Sequence, residues 1–394
     1  MSADAVGVAM TCEACGAEDF ESFYEVESIS SQTCVLLDTA AEAAAYPTGS
    51  IVLGFCHNCG FIQNLEFDPD AIDYSQSTEE SQAFSPEFQR FASGLAAELV
   101  ERHDLEGGSI LEVGCGKGDF LQLLAERGIA EGIGIDPGYL PNREVDGTTL
   151  RFIKDWYGPD DVELTGDLVL TRHLLEHIPN VSEFTGWLFV STQASPGAGM
   201  FTEVPDVRRV LGEGAFWDVY YEHCSYFTLG SLGRMLRRAG LRLDRLEMGF
   251  GGQYLLADGA PGEMNDPHPA EESVDELAEE VADFATAAQR LVDDWRARIE
   301  AALEHDGHVA VWGGGSKAVA FLAAVGVAPG AITVVDINPH KKGKFLPGTA
   351  IEVELPHVLV DRNPHLVIPM NPIYESEIRA DLTAMGLSPT VKPL

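Results

Sequence analysis

The 394-residue chain reads as an α/β protein built around two Rossmann-like units, and three features predict this. Residues 109–124, SILEVGCGKGDFLQLL, form an apolar strand, a glycine-rich turn and a helix. Residues 308–325, HVAVWGGGSKAVAFLAAV, repeat that plan. Between residues 79 and 257 strand and helix patterns alternate, the signature of a parallel sheet with crossover helices. The length exceeds a single core and indicates about two or three domains.

The order along the chain is a cysteine-bearing, turn-rich block at 1–78, an α/β unit at 79–257, a linker and long helix at 258–305, and a second α/β unit at 306–394. In the first block, CEACG (12–16) and CHNCG (56–60) place Cys12, Cys15, Cys56 and Cys59 as two C-x2-C pairs, each followed by Gly. Four thiolates so spaced predict a closed, tetrahedral, structural zinc site with no open position for catalysis. A redox reading is disfavoured because neither pair follows a βαβ strand. The remaining cysteines, Cys34, Cys115 and Cys224, read as ordinary buried or loop thiols. The linker DGAPGEMNDPHP (258–269) leads into an amphipathic helix whose Val274, Leu277, Val281, Phe284 and Ala288 recur at helical spacing.

The net charge of −38 repels nucleic-acid phosphates and anionic lipid, so nucleic acid and membrane are not expected partners. It fits either a salt-adapted protein or an acidic mesophilic one. No apolar run is long enough to span a bilayer and the N-terminus lacks the pattern of a signal peptide, so a cytoplasmic location is expected.

Gly114, Gly116 and Gly118 let a ligand approach the backbone and leave helix N-terminal amides available. The following strand, GIGID (132–136), ends in Asp136, placed to accept ribose hydroxyls, and Glu112 precedes the loop where a ligand's cationic end would lie. This E-x-G-x-G-x-G with a downstream Asp resembles class I S-adenosylmethionine (SAM) methyltransferases more than dinucleotide dehydrogenases. That resemblance implies S-adenosyl-L-methionine as cofactor, with Asp155 at the adenine amino group and Trp156 on its face. WGGGSKA (312–318) with Asp336 could be a second nucleotide site, though a structural module or a contact surface is preferred.

The stretch FWDVYYEHCSYFT (216–228) sets six aromatic residues around a Glu-His pair. His223 has the pKa range of a general base, and Glu222 and Tyr220 could bond substrate oxygens. An aromatic loop packed on the sheet is the competing reading.

Across nearly the whole chain, the motifs CEACG, CHNCG, DYSQS (73–77), EVGCGKG, HLLEHIP, YYEHCSYF, GGQY (251–254), GGGSKA and DINPHKKGKFLPGT (336–349) are similar to the sugar C-methyltransferases of deoxysugar biosynthesis. The resemblance implies a zinc-binding domain, a class I SAM methyltransferase domain and a C-terminal Rossmann-like domain. It implies methylation, through an enolate, of the carbon beside a keto group in a nucleotide-linked 4-keto deoxysugar, with no nucleic acid or membrane involved. His223 becomes the base, with Glu222, Tyr220, His177 and Tyr74 around the substrate. The chain departs from the family pattern in places. Tyr221 replaces a His, Gly116 and Lys117 replace Asn-Asp in the cofactor loop, and His173 replaces an Asn at the cofactor end of the fourth strand. Met370-Asn371 replaces Trp-Asn, and GGQY replaces G-G-S-x-R. An O- or N-methyltransferase, a non-catalytic module and a nicotinamide oxidoreductase are the alternatives.

Overall fold

Two cysteine turns start the fold. Gly16 and Gly60 sit at φ 76° and 73°, and their amides return to the Cys12 and Cys56 carbonyls at 2.7 and 2.8 Å. Glycine takes this left-handed conformation without Cβ strain. The computed structural model describes residues 11–73, 78–79, 81–140, 149–304, 307–327 and 330–394. Strands β1 (Phe20–Ser30), β2 (Thr48–Cys56) and β3 (Ile62–Asn64) form an antiparallel sheet beside those turns, with the short helix α1 (Ala40–Ala44) between the first two.

Helix α2 (Pro86–Arg102) is capped by Ser85, with Pro at its first position, and leads into the large sheet. That sheet takes β4 (Ser109–Val113), helix α3 (Asp119–Glu126), β5 (Glu131–Ile135), β6 (Thr149–Ile153) and β7 (Leu168–Arg172). It continues with helix α4 (Val181–Gln193), β8 (Gly199–Pro205) and helix α5 (Val207–Glu213). After β9 (Ser225–Tyr226) come helix α6 (Leu229–Arg238), β10 (Leu241–Gly249) and β11 (Tyr254–Pro261). The strand order is β10-β11-β8-β7-β4-β5-β6, with β11 antiparallel to both neighbours and the others parallel. The order reverses between β4 and β7, so the loops after these strands form the crevice where such sheets bind ligands.

Strand β9 leaves this sheet and pairs with β3, so the four-stranded N-terminal sheet is ordered β1-β2-β3-β9. The aromatic stretch thus belongs to two units at once, a connection that linear spacing does not reveal.

Helix α7 (Val274–Leu303) begins at a Ser273–Glu276 capping box. Its buried face, Leu277, Val281, Phe284, Ala288, Val292, Trp295 and Ile299, has the expected 3.6-residue period. Phe284 meets Phe23 and Tyr24 of β1 edge-on, while Trp295 meets Phe321 of the last unit. The helix therefore forms a shared core between the first and last units rather than a spacer. The last unit comprises β12 (Val309–Trp312), helix α8 (Ser316–Val325), β13 (Ile332–Val335), β14 (Val353–Glu354), helix α9 (Leu359–Arg362), β15 (Leu366–Pro369), helix α10 (Glu375–Ala384) and β16 (Thr390–Val391). Its five strands are all parallel, in the order β14-β13-β12-β15-β16. No helix of the described residues is long and apolar enough to cross a membrane.

Candidate active site

The turn between β4 and α3 depends on its glycines. Gly114 and Gly118 have φ of 74° and 81°, and a Cβ at Gly118 would lie 2.5 Å from Phe152 Cε1. One on Gly114 would lie 2.9 Å from Leu174 Cδ1, in the loop after β7. Asp136 braces the turn: Oδ2 accepts from the Gly116 amide at 2.9 Å and Oδ1 from Gly138 at 2.7 Å. Glu112 is 2% exposed, and its Oε2 has no hydrogen-bond partner among the described residues. Burial pushes its carboxyl up to about 8, against the pull of Arg172. A buried, unpartnered carboxylate oxygen beside a glycine turn fits the cationic end of S-adenosylmethionine. At the end of β6, Asp155 accepts from the Trp156 amide at 2.8 Å, and the Trp156 side chain is exposed.

His173 closes β7 with φ 50°, a left-handed backbone rare for a non-glycine residue. A buried ion network surrounds it. His173 Nε2 and Arg172 Nη2 both lie 2.8 Å from Glu203 Oε1, and His173 Nδ1 is 3.4 Å from Glu176. Burial alone would lower the His173 imidazole, but Glu176 and Glu203 raise it to about 9. Burial likewise opposes ionisation of Glu203, yet Arg172 and His173 bring it down to about 2. The Arg172 guanidinium lies 4.0 Å from the centre of the Phe120 ring in α3. His173 thus sits in the floor that joins β7, β8 and the cofactor turn.

The aromatic stretch begins with a 3-10 turn over Phe216–Asp218 and ends in β9. His223, partly accessible, stands 4.8 Å edge-on from both His177 and Tyr220. His177 Nδ1 donates to the Glu222 carbonyl at 2.9 Å, which ties the loop after β7 to this stretch. Leu174, crowding Gly114, and His177, touching His223, lie in that one loop, so the base candidate and the cofactor turn share the same edge of the sheet. Burial, then His177, lower the His223 imidazole to about 3, so it is neutral near pH 7. Tyr220 donates to Asp218 Oδ1 at 2.8 Å, and the Glu222 carboxylate accepts from the Thr33 hydroxyl and, at 3.4 Å, the Thr33 amide. The expected substrate residue Tyr74 lies outside the described residues.

The last unit closes on this edge. Lys317, in the first turn of α8, pairs with Asp218, which also holds Arg209. Thr33 Oγ1 lies 2.7 Å from Ser316 Oγ. The two glycine turns are built alike, since Asp336 Oδ2 accepts from the Gly314 amide at 2.8 Å as Asp136 does from Gly116. Gln253 and Asn371, from two of the motifs that depart from the family pattern, meet in a reciprocal amide pair at 2.8 and 3.0 Å. None of Asp218, Arg209, Lys317, Thr33 and Glu203 was legible as a site residue, because their partners lie far away in sequence.

The Sγ atoms of Cys12 and Cys59 lie 3.6 Å apart, and those of Cys15 and Cys56 3.7 Å apart. A tetrahedral zinc with bonds of about 2.3 Å sets its sulfurs about 3.8 Å apart, so the four side chains fit such an ion. Asn58 Nδ2 donates to Cys15 Sγ at 3.3 Å.

Residues 87–246 match the model of a methyltransferase domain, and residues 268–387 that of a C-methyltransferase C-terminal domain. The curated C-methyltransferase NovU of Streptomyces niveus is 29% identical over 276 residues, covering 65% of this chain and 65% of that protein, just short of two thirds of its length. A ubiquinone biosynthesis O-methyltransferase of Chromobacterium violaceum is 28% identical over 182 residues, covering 40% of this chain and 75% of the relative. Among solved structures, the 1,6-didemethyltoxoflavin-N1-methyltransferase of Burkholderia thailandensis is 17% identical, covering 44% of this chain and 79% of its own, with a TM-score of 0.35. Two successive stretches of the chain thus match a methyltransferase domain, at 87–246, and a C-methyltransferase C-terminal domain, at 268–387.

Proposed function

We propose that the chain transfers a methyl group from S-adenosylmethionine to the carbon beside a keto group of a small molecule, and that the substrate is a nucleotide-linked 4-keto deoxysugar. The observation that carries this is the placement of the partly accessible His223 imidazole, 4.8 Å from His177, on the glycine-turn edge of the sheet; substrate binding would have to raise its lowered basicity for it to act as the base. S-adenosylmethionine supplies an electrophilic methyl on a sulfonium. The Gly114–Gly118 turn, Glu112, Asp136, Asp155, Trp156 and His173 make up its site, with Asp136 at the ribose and Trp156 at the adenine. The His223 imidazole takes the proton from the substrate carbon. The resulting enolate oxygen needs a donor; the Tyr220 hydroxyl and His177 Nδ1 bond Asp218 and the Glu222 carbonyl in the free chain, so either would exchange that partner for the substrate, and Tyr74 is the third candidate. Glu222, whose carboxylate bonds Thr33 in the free chain, would hold a substrate hydroxyl only by sharing or giving up that partner. Holding these groups in register supplies much of the rate. The four-cysteine cluster holds a structural zinc and has no direct part in the chemistry.

His223→Asn should abolish solvent deuterium exchange at the substrate carbon, and methylation with it, while leaving S-adenosylhomocysteine binding in place. A panel of keto-sugar nucleotides with mass detection of the methylated product gives the readout. Persistence of exchange in the variant would remove His223 from the role. The O-methyltransferase relatives favour a second reading, transfer to oxygen, in which product forms with no exchange at carbon.

A further inference from the structure

Lys117 lies inside the cofactor turn, between Gly116 and Gly118 at φ 53° and 81°. Its side chain is buried, only 8% exposed. Its Nζ donates to Glu79 Oε2 at 2.8 Å and to the Thr78 carbonyl at 3.1 Å. The other oxygen of the same carboxylate, Glu79 Oε1, accepts from Asn338 Nδ2 in the last unit at 3.1 Å. Asn338 is 2% exposed and is itself fixed, since its amide donates to Asp336 Oδ1 at 2.8 Å. Glu79 is anchored from behind: its amide donates to the Cys34 carbonyl at 2.9 Å, and Thr78 forms an antiparallel bridge with Val35. One carboxylate therefore joins the cofactor turn, the cysteine-bearing unit and the turn after β13.

We propose that Glu79 is a positioning residue that clasps the cofactor turn to the C-terminal unit, so that the order of residues 114–118 depends on Asn338, a residue of another unit. This rests on the reading of that turn as the S-adenosylmethionine site. Lys117 replaces the family's Asp, so the clasp arises where the chain departs from the resemblance. A buried ion pair is a poor source of net stability, because desolvation offsets its attraction, and apolar replacements are often as stable. Its strength lies in register: one oxygen of Glu79 accepts from Lys117 and the other from Asn338, so both bonds are made together only when both turns are in place. Burial works against ionisation of Glu79, but Lys117 and then Asn338 more than offset it and hold the carboxyl below its usual range, so the clasp stays charged at neutral pH.

The test uses the full chain as wild type, Glu79→Gln and Asn338→Ala. Hydrogen exchange of residues 114–118 without cofactor is measured first, then S-adenosylhomocysteine binding by calorimetry. Both variants should exchange about tenfold faster in 114–118 and bind about tenfold more weakly, while the amides of β7 and β8 keep their protection. Asn338→Ala removes no charge and leaves Glu79, Lys117 and residues 114–118 themselves unchanged, so it decides the matter even where Glu79→Gln folds poorly. Wild-type exchange in 114–118 for Asn338→Ala, or acceleration spread evenly over the large sheet, overturns the clasp. Failure of the wild type to bind S-adenosylhomocysteine would instead refute the cofactor reading, and the exchange result would still decide the clasp.

Discussion

Glu112 shows how one buried side chain can set a pH dependence. Its carboxyl stands at about 8 because burial disfavours the charge. A bound cation favours the carboxylate, so below pH 8 cofactor binding must displace a proton from Glu112. Affinity should rise with pH between about 6 and 8 and level off above, by up to about tenfold per pH unit. Calorimetry in buffers of different ionisation enthalpy reads the released proton directly, and a flat pH profile with no proton release would exclude this role. Glu203 is the opposite case, a carboxylate held ionised by two cations in a site it fully buries. Glu203→Gln strips Arg172 of its carboxylate partner and leaves His173 with Glu176 alone, and should cost about 3–5 kcal/mol of stability. A urea titration giving a loss under about 1 kcal/mol would show that the network relaxes freely. The raised His173 adds stability that is complete below its ordinary value near 6.5 and is lost as pH rises through about 9.

At the scale of elements, β9 is the short strand on which the candidate site depends. It has two residues, and its pairing partner β3 follows the second cysteine turn directly. The four-cysteine cluster, the N-terminal sheet and the aromatic stretch are thus one mechanical series. If the cluster holds zinc, removing it with a chelator should release the Ser225 and Tyr226 amides to hydrogen exchange along with those of β3, and should lower activity although Cys12, Cys15, Cys56 and Cys59 have no direct part in the proposed chemistry. Protection of β9 that survives full chelation would separate the two. The same logic applies to α7, whose Phe284 and Trp295 serve different units and hold them to a common axis.

For the whole molecule, charge is the dominant long-range quantity. A net charge of −38 repels itself in the compact state, and salt screens that repulsion over a Debye length of about 10 Å at 0.1 M. The melting temperature should rise as salt goes from about 0.05 to 1 M, and a molar-salt optimum with low-salt unfolding would identify the salt-adapted reading. A melting temperature that falls with salt would show that ion pairs between units, such as Lys317–Asp218, outweigh the surface repulsion.

The sequence by itself determined the elements whose cause is local. The Gly114–Gly118 turn, Asp136 at the end of the next strand, the cysteine pairs with their trailing glycines, and the α7 stripe all follow from spacing, because backbone conformation and one-face burial act over a few residues. It also placed His223 and His177 as a pair through family resemblance, and the structure sets their rings 4.8 Å apart. Only the tertiary structure decided where the charged groups found partners: Lys117 and Asn338 on Glu79, Lys317 on Asp218, Gln253 on Asn371. It alone moved β9 into the N-terminal sheet and turned the Glu222 carboxylate toward Thr33. Such choices come from desolvation, since a buried charge takes whichever complementary group the packed units bring within reach, and separation along the chain carries no information about that.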